Sequence, residues 1–170
     1  AAADCAALTA QHAPIAAICT ALNDAMTGRE SQAAVALEAA AARTQGAVRA
    51  WALGALAQVA EQRGEPARAA AAYRAALAVD DDLGTRLAYA DLLIAQRDWS
   101  QAADLLKDAP PADGVLLRRW QIARARGTAE APALQAQLAA RFNEAQARGE
   151  LLHTREAAQF ALDLGEAARA

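Results

Sequence analysis

A polar turn residue followed five positions later by Ala recurs along the chain, at Gly28/Ala33, Gly64/Ala69 and Arg97/Ala102. The series continues at Gly127/Pro132, where Pro takes the Ala position, and at Gly165/Ala170. The intervals are 36, 33, 30 and 38 residues. A unit of about 34 residues holds two helices of ordinary length and one turn, and cannot bury an apolar face alone. Such units must stack and share a core.

The helical reading rests on composition and punctuation together. Ala makes up nearly a third of the 170 residues, β-branched residues are sparse, and only five Pro and nine Gly interrupt the chain. Ala is the strongest helix former, and its small side chain lets helices approach closely. The apolar-periodic stretches between interruptions run about 12 to 16 residues, the length of ordinary helices. The expected fold class is therefore all-α.

The second unit, Ala50 to Asp81, shows the pattern most fully. It has Leu53, Leu56, Ala57 and Ala60 in a first helix and Gly64 at the turn; Ala69, Tyr73, Ala76, Leu77 and Val79 follow in a second helix. This resembles the tetratricopeptide repeat family, whose small residue, turn Gly, Ala, aromatic and second Ala match Ala57, Gly64, Ala69, Tyr73 and Ala76. Asp81 departs from it, standing where the family usually has Pro. The third unit keeps Ala90, Leu93, Trp99, Ala102, Leu106 and Ala109 in register, and the first keeps Ala21, Gly28, Ala33, Leu37 and Ala40. The fourth is degenerate, with Trp120 at a small-residue position and Pro132 expected in the first turn of a longer helix reaching about Arg148. The segment from Leu152 to Phe160 is similar to one in uncharacterised bacterial tetratricopeptide proteins.

The resemblance implies a right-handed α-α superhelix, a solenoid of four to five helical hairpins forming one domain over 1–170. An N-terminal helix (1–13) is followed by repeats at 14–47, 50–82, 83–110 and 113–149 and an incomplete last repeat at 150–170. Ala57 and Ala69 are expected to let the helices of a hairpin touch, and Tyr73 and Leu77 to fill the gap to the next. The chain ends where the second helix of the fifth unit should begin. Leu152, Phe160, Leu162 and Leu164 are therefore expected to lack an intramolecular partner and to be covered by further chain or by another subunit.

In this family the first helices line an inner, concave surface. Carried over by register, that surface comprises Trp51, Gln58, Glu61 and Gln62 from the second unit, Asp91 from the third, Gln121 and Arg124 from the fourth, and Arg155 and Gln159 from the fifth. Ile15, Ile18 and Leu22 give it an apolar end. A groove graded from apolar to amide-rich to Arg-bearing suits an extended peptide or a protein tail, with Arg124 and Arg155 able to grip a carboxylate. A plain solvated face is the alternative, as are a structural assembly subunit that forms a homo-oligomer through its last helix and an enzyme or small-ligand binder using a pocket between the degenerate fourth unit and its long helix.

Cys5 and Cys19 lie almost symmetrically about His12-Ala13-Pro14, so antiparallel helices on either side would set them at the same height. Either they bridge, stabilising the terminal helix by roughly 3 kcal/mol, or they are two buried thiols acting as small hydrophobes. Symmetry favours the bridge. An oxidising compartment then follows, the periplasm for a bacterial-looking chain; reduced thiols would place it in the cytoplasm. Asp4 before Cys5 does not resemble a lipidation box.

Chemistry-bearing motifs are missing. Ser31 and Ser100 are the two serines, neither in a Gly-x-Ser-x-Gly setting, and no phosphate loop or His-Glu-x-x-His motif occurs. His12 and His153 stand far apart and read as structural or solvated. Asp80-Asp81-Asp82 fits a helix cap better than a cation site. Glu144, Glu150 and Glu156 have no obvious nucleophile or metal beside them. No enzyme activity, metal or cofactor is expected. The 17 basic and 20 acidic residues, net charge -3, are interleaved and offer no single-signed field for nucleic acid. No apolar run is long enough to span a membrane.

Overall fold

The computed structural model describes residues 2–8, 13–150 and 154–165. Among these there are ten α-helices and no strand. In chain order they are α1 (Ala2–Leu8), α2 (Ala13–Met26), α3 (Glu30–Arg43), α4 (Gly46–Gln62) and α5 (Pro66–Val79). They continue with α6 (Leu83–Ala95), α7 (Trp99–Leu106), α8 (Asp113–Arg126), α9 (Ala131–Ala147) and α10 (Thr154–Asp163). His12, Leu152, His153 and Ala170 lie outside the described residues. The chain divides into two compact units, Ala1–Leu92 and Leu93–Ala170, and the division falls inside α6.

The turns explain the spacing read from the sequence. After α2, α4, α6 and α8, the residues Gly28, Gly64, Arg97 and Gly127 adopt positive φ of 83°, 69°, 60° and 65°. The next residue's N–H bonds to a carbonyl five positions back: Arg29 to Asp24, Glu65 to Ala60, Asp98 to Leu93 and Thr128 to Ala123. This is the left-handed helix stop in which a residue without Cβ is favoured. Gly149 repeats it after α9, a turn outside the recurring series, with Glu150 bonding to Ala145. Arg97 is the lone non-Gly residue with positive φ among those described. The Ala five positions on from the first three turns, Ala33, Ala69 and Ala102, is in each case fully buried.

In unit 1, α1 packs on α2, α2 on α3 and α4, α3 on α4, and α4 on α5. A disulfide joins Cys5 to Cys19 with Cα atoms 5.5 Å apart. The contacts are made largely by Ala: Ala21, Ala33, Ala52, Ala57, Ala60, Ala69 and Ala76 are all buried. Pro66 opens α5, where its missing N–H leaves no donor unsatisfied. Tyr73 from α5 stacks on Tyr89 from α6 with ring centres 5.6 Å apart, and Arg74 donates to the Tyr89 hydroxyl at 3.0 Å. α4 begins at Gly46, four residues before the expected start of that unit.

In unit 2, α7 and α9 each pack on α8, and α10 also docks on α8. Leu116, Leu117, Trp120, Leu138, Phe142 and Phe160 form one buried cluster, with Leu134 and Leu164 against it. Phe160 meets Trp120 edge-on at 4.8 Å and Phe142 at 5.7 Å. The expectation that Phe160 and Leu164 would lack an intramolecular partner is therefore wrong, although Leu162 is exposed. The large side chain at position 120, which reads as a defect in the repeat, fills the space that α10 closes. Pro132 lies in the first turn of α9, as its position implied.

Candidate functional site

The nine residues projected onto a groove separate between the units. Trp51, Gln58, Glu61, Gln62 and Asp91 belong to unit 1; Gln121, Arg124, Arg155 and Gln159 belong to unit 2. Each set forms its own surroundings.

Unit 1 contains an open cavity of about 470 Å³ over one face of α4. Ala47, Ala50, Trp51, Gly54, Ala55 and Gln58 line it, a series at helical spacing that turns small side chains toward one side of the helix. Small residues here leave the space. Trp51 is 43% exposed and Gln58 is exposed, so an indole face and an amide border the opening. Leu22 of α2 and Tyr73 of α5 add apolar wall, while Thr85, Asp80 and Asp82 close the α6 side. No Lys, Arg or His is among the lining residues.

The acidic turn between α5 and α6 has a division of labour. Asp82 caps α6, its carboxylate accepting from the Gly84 and Thr85 N–H groups at 2.8 and 2.9 Å and from the Thr85 hydroxyl. That hydroxyl, with the two N–H groups, holds the Asp82 carboxyl below the usual carboxylate range against the opposing effect of partial burial. Asp81 pairs with Arg86, whose hydrogen bonds likewise lower its pKa. Asp80 ends α5 with an exposed side chain.

Glu61 and Gln62 lie beyond the cavity. The Tyr73 hydroxyl donates to the Glu61 carboxylate, and burial followed by that carboxylate pushes the phenol well above its ordinary pKa. Glu61 is thus engaged inside the unit rather than offered to a ligand. Gln62 and Asp91 are exposed. Ile18, assigned to an apolar end of the groove, is completely buried, because α2 turns that side toward α3 and α4; Ile15 and Leu22 are half-buried.

In unit 2 three of the four projected residues converge on a residue that sequence reasoning missed. Gln121 donates to the Asp163 carboxylate at 2.6 Å, Gln159 donates to it at 2.9 Å, and Arg124 donates to the Asp163 backbone carbonyl. The Arg124 guanidinium also lies 5.3 Å from the centre of the Trp120 ring. These side chains fasten the C-terminal end of α10, where a cation is electrostatically favoured. Asp163 sits one helical turn from Gln159, a spacing visible in the sequence, but its link to α8 needed the fold. Arg124 is tied to α10, and Arg155 is exposed.

Among the described residues no group of three or more His, Cys, Asp and Glu is placed to hold a metal, and no helix is long and apolar enough to cross a membrane. No family model, curated protein or solved structure matches the chain. The unit 1 cavity sets an indole, an amide and two carboxylates around a floor of small side chains.

Proposed function

We propose that the chain is a non-catalytic, tetratricopeptide-like scaffold that binds an extended peptide or protein tail along the face of α4. The cavity bordered by Trp51 and Gln58 carries this reading. The repeated left-handed stops and the buried Ala five residues after each of the first three support kinship with helical-hairpin arrays, and a right-handed superhelix is the arrangement such arrays adopt. The Cys5–Cys19 bridge supports an oxidising compartment, the periplasm in a bacterium.

The test is selection of a displayed library of random dodecapeptides against the full, oxidised chain. Binders are expected, and Trp51→Ala should weaken them roughly 10-fold or more, as loss of an aromatic anchor does. Failure to enrich any peptide, or binders indifferent to Trp51, removes this function.

A further inference from the structure

The unit 1 cavity has a sign as well as a shape. Its lining carries two carboxylates, Asp80 and Asp82, and no basic side chain. The nearby Arg86 is turned to Asp81, which does not line the cavity. Asp80 is the residue at the C-terminal end of α5. The negative end of the helix dipole disfavours a carboxylate there, and a cation would suit the helix better. Helix stability therefore does not account for an acid at this position. The half-exposed indole of Trp51, whose face attracts cations, lines the same cavity.

We propose that this cavity receives a Lys or Arg side chain of the bound peptide. The proposal rests on the peptide-binding reading above and adds the chemistry of what is read. The floor made by Ala50, Gly54 and Ala55 admits the aliphatic stem, which Lys and Arg bury readily along apolar surface while the charged head stays in polar surroundings. The head then lies between the Trp51 ring and the carboxylates of Asp80 and Asp82, with the Gln58 amide oxygen as a further acceptor. A Cβ placed on Gly54 would stand 3.8 Å from Thr85 Oγ1, so a methyl fits but a larger side chain occupies the space the stem needs. An acidic tail meets two like charges at the same opening and is rejected.

The three consecutive aspartates supply matched variants. Asp80→Asn and Asp82→Asn each remove one lining charge, and Asn at position 82 keeps an oxygen to cap α6. Asp81→Asn removes the same charge from the same turn but outside the cavity. Peptides selected from the random dodecapeptide library against the full oxidised chain are the probes, each resynthesised with its basic residue replaced by Met. The expected result is a Lys or Arg at one fixed position, a loss of roughly 10-fold or more on replacement by Met, and a weakening of roughly 3-fold or more in Asp80→Asn and Asp82→Asn. Asp81→Asn combined with Arg86→Gln, so that no guanidinium is released beside the cavity, should bind as the parent does, and Gly54→Leu should abolish binding while circular dichroism shows the helices intact. Binders that depend on Trp51 without a fixed basic residue overturn this proposal and leave the scaffold reading standing. Equal losses in all three Asp variants overturn it as well, because they report a diffuse field rather than a site. If no peptide is selected, the function and this inference fall together.

Discussion

In unit 1 the helices meet largely through small residues such as Ala33, Ala52, Ala57, Ala69 and Ala76, with Ile18, Leu37, Val59 and Tyr73 set singly among them. Unit 2 gathers Trp120, Phe142 and Phe160 with Leu116, Leu117 and Leu138 into one cluster. Both are stacks of short helices closed by the same left-handed stop. They differ in what fills the space between helices, and hence in how each should fail. A core of small residues has little volume to lose and no room for additions; a core of large ones leaves a void when a ring is removed. The Ala-lined unit is also the one that carries a covalent brace.

The largest effect should come from Trp120→Ala. Removing this ring from the centre of the cluster costs about 3 to 5 kcal/mol and releases α10. Urea unfolding should show the loss in unit 2 while the emission of Trp51 in unit 1 keeps its midpoint. A common shift of both transitions would mean the units do not unfold separately. Next is reduction of the Cys5–Cys19 bridge, which closes a loop with a sequence separation of 14. Loss of roughly 3 kcal/mol from unit 1 is expected, in the chain-entropy account. The same urea titration with reductant should move the Trp51 transition and spare that of Trp120.

Ala57→Leu sharpens the contrast from the other direction. The added volume at a completely buried Ala should destabilise unit 1 by about 1 to 3 kcal/mol, whereas the same substitution at exposed Ala129 should be near neutral. If Leu at position 57 proves neutral, close Ala packing is not what holds these helices. The smallest effect concerns Arg97, which occupies the left-handed stop that Gly fills elsewhere. Arg97→Gly should raise the thermal midpoint, by about 0.5 to 1 kcal/mol of stability. An unchanged or lowered midpoint would show that the Arg side chain offsets the strain by contacts of its own.

Much of unit 1 was legible in the sequence because its signals are local. A turn residue, an Ala five positions later and an aromatic beyond that are fixed by helix geometry, and Ala57, Ala69 and Tyr73 lie buried where that register puts them. Cys5 and Cys19 could be paired from symmetry, since two short helices about a turn leave few arrangements. Unit 2 was harder to read because its decisive contacts are distant in sequence. Trp120 reads as a misfit until Phe160, forty residues on, is seen against it, and the carboxylate of Asp163 has no visible role until Gln121 and Arg124 reach it. Two residues of the projected face show the same limit: register marks which side of a helix a residue occupies, but not that Glu61 is held by Tyr73 or that Ile18 is enclosed. The acidic lining at Asp80 and Asp82 was present as a run of three aspartates, and only the geometry distinguishes which two face the cavity.

The indole nitrogen of Trp120 is buried without a hydrogen-bond partner in the structure. A proton in that position can trade with solvent only when the rings around it part, so it is a clock set inside the molecule. Dissolved in heavy water, unit 2 would keep the Trp120 indole signal for as long as α10 stays seated, and the rate at which it fades counts how often that helix lifts.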